Sequence, residues 1–317
     1  MDWIRLTSTR WPTGVAAVLV AAATAVPSPQ QTADAQQTPD AQQLLEAAGD
    51  YVRAAFPLLA TVVATEEYVQ ERRVAPKANR RLRSEVLLVR HPTQARDWLF
   101  FRDVLDVDGV PLEDHQTRLQ DLFLNPTVEN WMLVGDIANA SHRYHLDGAD
   151  AGVTNPFVVV ALLDRSYRAR MQFKLGTEDP DVGRGAWTLV FQEVAAGATE
   201  MPDGTRVPRD MQPLLSPTLL ARGTAWIDAA NGRVLKTQLR LGDELGALTS
   251  STTFRWDARY MVALPVEMKT TWTDSGCVST GLGMTCVSAS AVNGTATYNR
   301  FRRFGVQTEL QPAAPVR

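Results

Sequence analysis

The sequence predicts an α+β protein: a curved antiparallel β-sheet, or half-barrel, with an N-terminal helix and further helices over its concave face. Three observations predict it. Tyr167, Ala169, Met171, Phe173 and Leu175 alternate with Arg168, Arg170, Gln172 and Lys174, the period-two pattern of a strand with one wet and one buried face. Asp108-Gly109 and Asn231-Gly232 place positive-φ turn chemistry between strand-like runs, which joins neighbours antiparallel. Helical grammar is confined to the start of the mature chain and to residues 117–164, so helices are available to cover one face of a sheet.

The N-terminal helix starts near Thr38, a capping residue, with Pro39 in the first helical position. Leu44, Ala48, Val52, Ala55, Phe56 and Leu59 share one face, and Pro57 ends or kinks it. The period then changes. Runs at Val62 to Glu71, Leu82 to His91 and Trp98 to Val107 are rich in Val, Leu and aromatics, as strands require. Asn125-Pro126 and Asn155-Pro156 each set a capping residue before proline, which predicts helices near 126–141 and 156–164 and a shorter one from Thr117 to Leu124. Strands follow at Trp187 to Val194, Thr224 to Asp228, Arg233 to Leu241, Thr252 to Asp257 and Pro265 to Trp272. Val287 to Val306 holds the last strand or pair, for nine or ten in all.

Residues 1–35 are expected to be a secretory signal peptide. Arg5 and Arg10 precede the apolar run Gly14 to Val26, and Ala33-Asp34-Ala35 supplies the small-x-small cleavage pattern. That run of thirteen residues is short of the roughly 20 needed to cross a bilayer core. Cleavage is therefore expected after Ala35, with Val26 to Gln30 as the second choice, leaving a periplasmic or secreted protein that is not an integral membrane protein. Residues 36–43, rich in Gln, Ala, Pro and Thr, read as a flexible lead-in, 44–308 as one β-rich domain and 309–317 as a flexible tail. Loss of 1–35 removes Arg5 and Arg10 together with Asp2 and Asp34, so the formal charge stays at −3. Near-neutral charge and export argue against a nucleic-acid partner.

Cys277 and Cys286 flank VSTGLGMT, whose two glycines suit a hairpin end. In an oxidising compartment a disulfide is the natural reading. It would restrain the unfolded chain by roughly 2.5–3 kcal/mol on the chain-entropy view.

The C-terminal third carries a resemblance. GTAWIDAANGRVLKTQL (Gly223 to Leu239), TFRWDARYMVALPVEMKTTW (Thr253 to Trp272) and GTATYNRFRRFGV (Gly294 to Val306) follow one another in an order that resembles the LolA/LolB-like periplasmic lipoprotein-carrier superfamily, and similar strand motifs occur in uncharacterised exported bacterial proteins. The resemblance implies a curved half-barrel around an apolar cavity with helices as a lid. It implies a lipid or lipoprotein acyl chain as partner, and no functional residue transfers with it.

Catalytic and metal motifs are not found. His142 and His145 are three apart but lack a third ligand by spacing, and read as a polar helix end. Glu66 and Glu67 are adjacent in a strand and point to opposite faces, so they cannot cooperate; one is expected to be buried with an arginine, the other solvated. Asp103, Asp106 and Asp108 miss the alternate-position oxygen pattern of a calcium loop at Val104, and Glu178-Asp179-Pro180-Asp181 reads as a solvated connection. Basic residues cluster at Arg72-Arg73, Arg80-Arg81-Arg83 and Arg300-Arg302-Arg303, with Arg300 and Arg302 expected on one strand face. Such faces are solvated, or meet anionic headgroups. No Gly-x-Ser-x-Gly, His-Glu-x-x-His or phosphate-cradling loop is present.

The expectation is a non-enzymatic binding or carrier protein without cofactor or metal. Trp131, Phe173, Trp187, Trp226 and Met268 are its candidate ligand-cavity residues. A second reading is an envelope structural or interaction module with a filled core, no ligand and a protein partner.

Overall fold

The computed structural model describes residues 38–90, 98–112, 141–146, 154–168, 171–193, 221–242, 246–280 and 283–303, with the backbone alone over 274–290. The N-terminal helix α1 runs from Ala41 to Leu59. Its cap is Asp40 rather than the expected Thr38: the Asp40 carboxylate accepts the Gln43 N–H at 3.0 Å, satisfying a donor that the first helical turn leaves unpaired. Pro57 does not stop the helix, which continues two residues further.

Among the described residues, eleven strands make one sheet. They are β1 (Val62–Arg72), β2 (Ala78–Arg90), β3 (Trp98–Val107), β4 (Val110–Pro111), β5 (Met171–Glu178), β6 (Ala186–Glu193), β7 (Ala221–Asp228), β8 (Val234–Gly242), β9 (Gly246–Asp257), β10 (Val262–Thr280) and β11 (Gly283–Arg303). The spatial order is β4-β3-β2-β1-β11-β10-β9-β8-β7-β6-β5. Two meanders are thus joined where β1 pairs antiparallel with β11, and all other neighbours are consecutive in the chain and antiparallel. The turns are those the sequence asks for. Asp108 and Gly109 take φ of 55° and 83°, and Gly232 takes 72°, left-handed values that fit tight hairpin turns.

The strand expected over Tyr167 to Leu175 begins only at Met171. Tyr167 and Arg168 belong to a turn, closed by the Tyr167 N–H on the Asp164 carbonyl at 3.1 Å. Arg168 is held by the Leu45 and Leu163 carbonyls and by Glu46, outside any strand pairing. A short helix, α2 (Val158–Leu162), lies within the expected 156–164 segment. The helices expected at 117–124 and 126–141 fall mostly or wholly outside the described residues. A single helical position at Ser141 leads into a 3-10 turn at His142–Tyr144.

The core lies between one face of the sheet and these two helices. Leu44, Leu45, Val52, Phe56 and Leu59 of α1 are buried together with α2 and with Leu189, Phe191, Ile227, Leu239 and Leu264 of the sheet. Those five side chains of α1 contribute on the order of 10 kcal/mol of burial. At Gly232 the β7–β8 turn meets the Ala47 carbonyl so closely that any Cβ would overlap it. The same glycine therefore serves both the turn and the seating of α1.

Candidate functional site

The face of the sheet under α1 is the inner wall of the half-barrel, and the cross-strand register divides it into two zones. Over β6 to β9 it is apolar, with Leu189, Phe191, Ala225, Ile227, Leu239, Leu241, Leu248 and Phe254 all buried. Over β1, β2, β3, β10 and β11 it becomes mixed. Ser250, Thr270, Gly294, Gln70 and Arg80 form one continuous row through the β9, β10, β11, β1 and β2 pairings. Tyr68 closes this row from beside it: its hydroxyl and that of Thr270 share a hydrogen bond at 2.7 Å. A Cβ at Gly294 would overlap both oxygens. Gly294→Ala is expected to break that bond and to cost about 1–3 kcal/mol, read as a lowered denaturant midpoint with an unchanged slope.

A buried ion pair anchors the polar zone. Glu66 is 0% and Arg102 3% exposed. Arg102 donates Nε to Glu66 Oε2 at 2.6 Å and Nη2 to Oε1 at 2.9 Å, the bidentate geometry that guanidinium and carboxylate favour. Glu67, on the opposite face, is exposed. The neighbouring phenol of Tyr298 is pushed well above its ordinary range, first by burial and then by the Glu66 charge. It therefore stays protonated. Chemically the Glu66–Arg102 pair is charge-neutral and desolvated.

Arg102 also reaches across to the covering chain. Its Nη1 donates to Thr154 Oγ1 at 2.8 Å and its Nη2 to the Thr154 carbonyl at 2.9 Å. A second anchor lies further along. Gln70 Oε1 accepts the Leu146 N–H at 3.0 Å, Gln70 Nε2 lies 3.1 Å from His145 Nδ1, and Arg80 donates to the Tyr144 carbonyl at 2.6 Å. His145 thus serves a strand-to-cover contact, while His142 sits in the 3-10 turn. No cluster of three or more metal-binding side chains occurs among the described residues.

Helix α1 is clipped to the turn that follows α2. Glu46 of α1 accepts Arg165 Nε at 2.7 Å and Arg168 Nη1 at 2.6 Å, and Arg168 Nη2 donates to the Leu45 carbonyl at 2.5 Å. Desolvation pushes the Glu46 carboxyl up, but the two guanidiniums outweigh it and hold it below its usual value. An apolar crevice of about 20 Å³ remains at the seam of α1 with the sheet, lined by Leu59, Val62, Phe100, Phe157, Leu264 and Phe301 among others.

The predicted cavity residues divide. Met268 is fully buried beside Tyr298 on the inner wall, and Trp187 is buried in the main core with Leu189 and Ile227. Phe173 packs partly buried against the same core, its ring 6.2 Å from that of Phe191. Trp226 pairs with Thr188, one residue out of step with the Trp187–Ile227 pair. It therefore lies on the other face, donating to Asp179 Oδ2 at 2.8 Å beneath Lys236, and does not share a cavity with Trp187. Trp131 lies outside the described residues.

The remaining constellations are accounted for locally. Asp106 pairs with Arg83, and Asp108 with Arg80 at 3.2 Å. Arg300 takes a φ of 50° where the β1–β11 register shifts. That bulge breaks the alternation, so Arg300 and Arg302 do not share a face as expected. Arg302 pairs with Glu85 at 2.5 Å, and Arg303 donates to the Arg259 carbonyl at 3.1 Å. Arg102, Thr154, Gln70 and Tyr298 were not singled out from the sequence. The available signal was Arg102 itself, a cation inside the apolar run Trp98 to Val104.

No helix among the described residues is long and apolar enough to cross a membrane. No family model matches the chain, and no curated protein matches it. Solved structures do. A domain described as a putative outer membrane lipoprotein-sorting protein from Vibrio parahaemolyticus is 12% identical, with 86% of this chain and 95% of that one covered and a TM-score of 0.37. A LolA superfamily protein from Nitrosomonas europaea is 12% identical, with 85% and 96% covered and a TM-score of 0.32. A DUF1329 family protein from Desulfovibrio piger is 10% identical, with 86% and 96% covered and a TM-score of 0.35.

Proposed function

We propose that this is an exported, non-enzymatic protein that binds or carries a lipid or other apolar ligand, such as a lipoprotein acyl chain, against the inner wall of its half-barrel. The observation that carries the reading is how that wall is covered. A second sheet would close it for good, whereas here α1 and the 154–168 segment cover it. They are joined to each other by the Glu46 clip and to the wall by Arg102. The cover meets the wall through apolar packing and is set in place by these polar contacts. A hydrocarbon chain entering between cover and wall would replace one apolar contact by another, which suits the wall to such a ligand. Phe173, Trp187 and Met268 belong to that wall, with Phe100, Phe191 and Leu264 beside them. The mixed zone at Gln70, Ser250 and Thr270 would receive the polar end of an amphiphile.

One further feature fits an exported protein. β10 and β11 extend past β9, whose first pairing is Gly246 with Asp274, as a two-stranded arm in which Cys277 stands directly opposite Cys286. Directly opposed residues of an antiparallel pair lie about 4.5–5.5 Å apart at Cα, within disulfide reach. A two-stranded arm is marginal by itself, so a Cys277–Cys286 bond would do most good there.

The test is uptake of a fluorescent fatty acid by the mature protein and by Glu46→Ala. Wild type is expected to bind saturably. Loss of the clip is expected to speed uptake several-fold at unchanged secondary structure. No uptake by either protein sinks the carrier reading. It would leave the envelope module with a filled core, which the small size of the α1 crevice favours.

A further inference from the structure

The face of the sheet turned away from α1 carries a groove of about 940 Å³ across β5 to β9. Its character differs from the rest of this acidic chain, whose formal charge is −3. Lys174, Arg222 and Arg240 line it with glutamines, threonines and the half-exposed Val190, and no carboxylate is among its described lining residues. The register fixes how they stand. Gln172, Gln192, Arg222, Arg240 and Thr249 form one transverse row, and Lys174, Val190, Thr224 and Gln238 form the next. Arg222 and Arg240 are therefore directly opposed across β7 and β8, an arrangement that like charges disfavour. Lys174 and Arg222 have no hydrogen-bond or ion-pair partner among the described residues.

We infer that this groove docks the protein on an anionic phospholipid surface. Lys174 and Arg222, which have no partner among the described residues, are complementary to phosphate, and an anion beside Arg222 offsets the cost of its standing opposite Arg240. Lys174 stands two strands and two residues away from Arg222, about 12 Å at standard sheet spacings. That separation exceeds one phosphate and suits a surface presenting several. Val190 between them offers an apolar contact to the headgroup boundary. The face is the reverse of the one proposed to hold ligand, so docking and carrying stand or fall separately.

The test is co-sedimentation of the mature protein with vesicles of phosphatidylcholine alone, or of equal parts phosphatidylcholine and phosphatidylglycerol. Each cation near an anionic leaflet strengthens binding about fivefold. Lys174→Gln and Arg222→Gln are each expected to weaken partitioning to the anionic vesicles about fivefold, and the double variant about 25-fold. Arg302→Gln, whose arginine is already paired with Glu85, should change nothing. Binding of the wild type should fall with added salt. Relief of the Arg222–Arg240 opposition should also raise the melting temperature of Arg222→Gln by about 1–2 °C without lipid. The inference is overturned by equal binding to neutral vesicles, by no vesicle binding, or by a double variant that binds as wild type. Inorganic phosphate binding in the groove without vesicle binding would assign it to a free anion instead and overturn the docking.

Discussion

Arg102→Met is expected to destabilise the protein by about 3–5 kcal/mol, because it strands the Glu66 carboxylate in a site with no access to water. In a chain of this size that lowers the melting temperature by about 10 °C. Thermal unfolding of the mature protein followed by circular dichroism measures it. The double variant Glu66→Met/Arg102→Met removes both charges and should recover most of the loss, since replacing a buried pair by apolar side chains is often neutral. What it does not recover is Thr154, which loses the guanidinium that held both its hydroxyl and its carbonyl. Hydrogen exchange near Thr154 should therefore stay fast in the double variant even as global stability returns. Equal protection in wild type and double variant would show that Arg102 does not anchor the cover.

Phe191→Ala is the second large effect. Phe191 is 1% exposed and lies on the inner wall against Phe173, so its truncation should cost about 3–5 kcal/mol through lost burial and the cavity left behind. This variant separates the two readings of the wall. If the wall takes acyl chains, a fatty acid should raise the melting temperature of both wild type and Phe191→Ala, since any ligand of the native state stabilises it by mass action. If the core is filled, wild type should be indifferent to fatty acid, and the variant should respond only to a small apolar molecule that fits the hole.

Most of the sheet was legible in the sequence because its signals are local. Asp108-Gly109 and Asn231-Gly232 demand left-handed turns, and the strands on either side follow from them. The pairing of β1 with β11 was not legible. It joins residues more than two hundred positions apart, such as Tyr68 and Ala296, and no turn specifies it. The same distance hid the polar zone. One of Glu66 and Glu67 was expected to be buried with an arginine, but choosing Glu66 and identifying Arg102 require the β1–β2–β3 register, and Thr154 comes from a connection with no periodic pattern. Alternation misled at both ends of its reach. At Tyr167 and Arg168 it continued past the true strand start. At Trp226 and Arg300 a bulge or a one-residue offset decides the face, and composition carries no trace of either.

The central claim, an apolar wall that accepts a ligand beneath a movable cover, is tested most directly by native mass spectrometry. The mature protein would be expressed in the periplasm, weighed intact, then extracted with organic solvent and its lipids identified. The account predicts a stoichiometric adduct that extraction converts into a free lipid or fatty acid. A clean protein mass, with no lipid in the extract and no adduct after incubation with fatty acid, would contradict it.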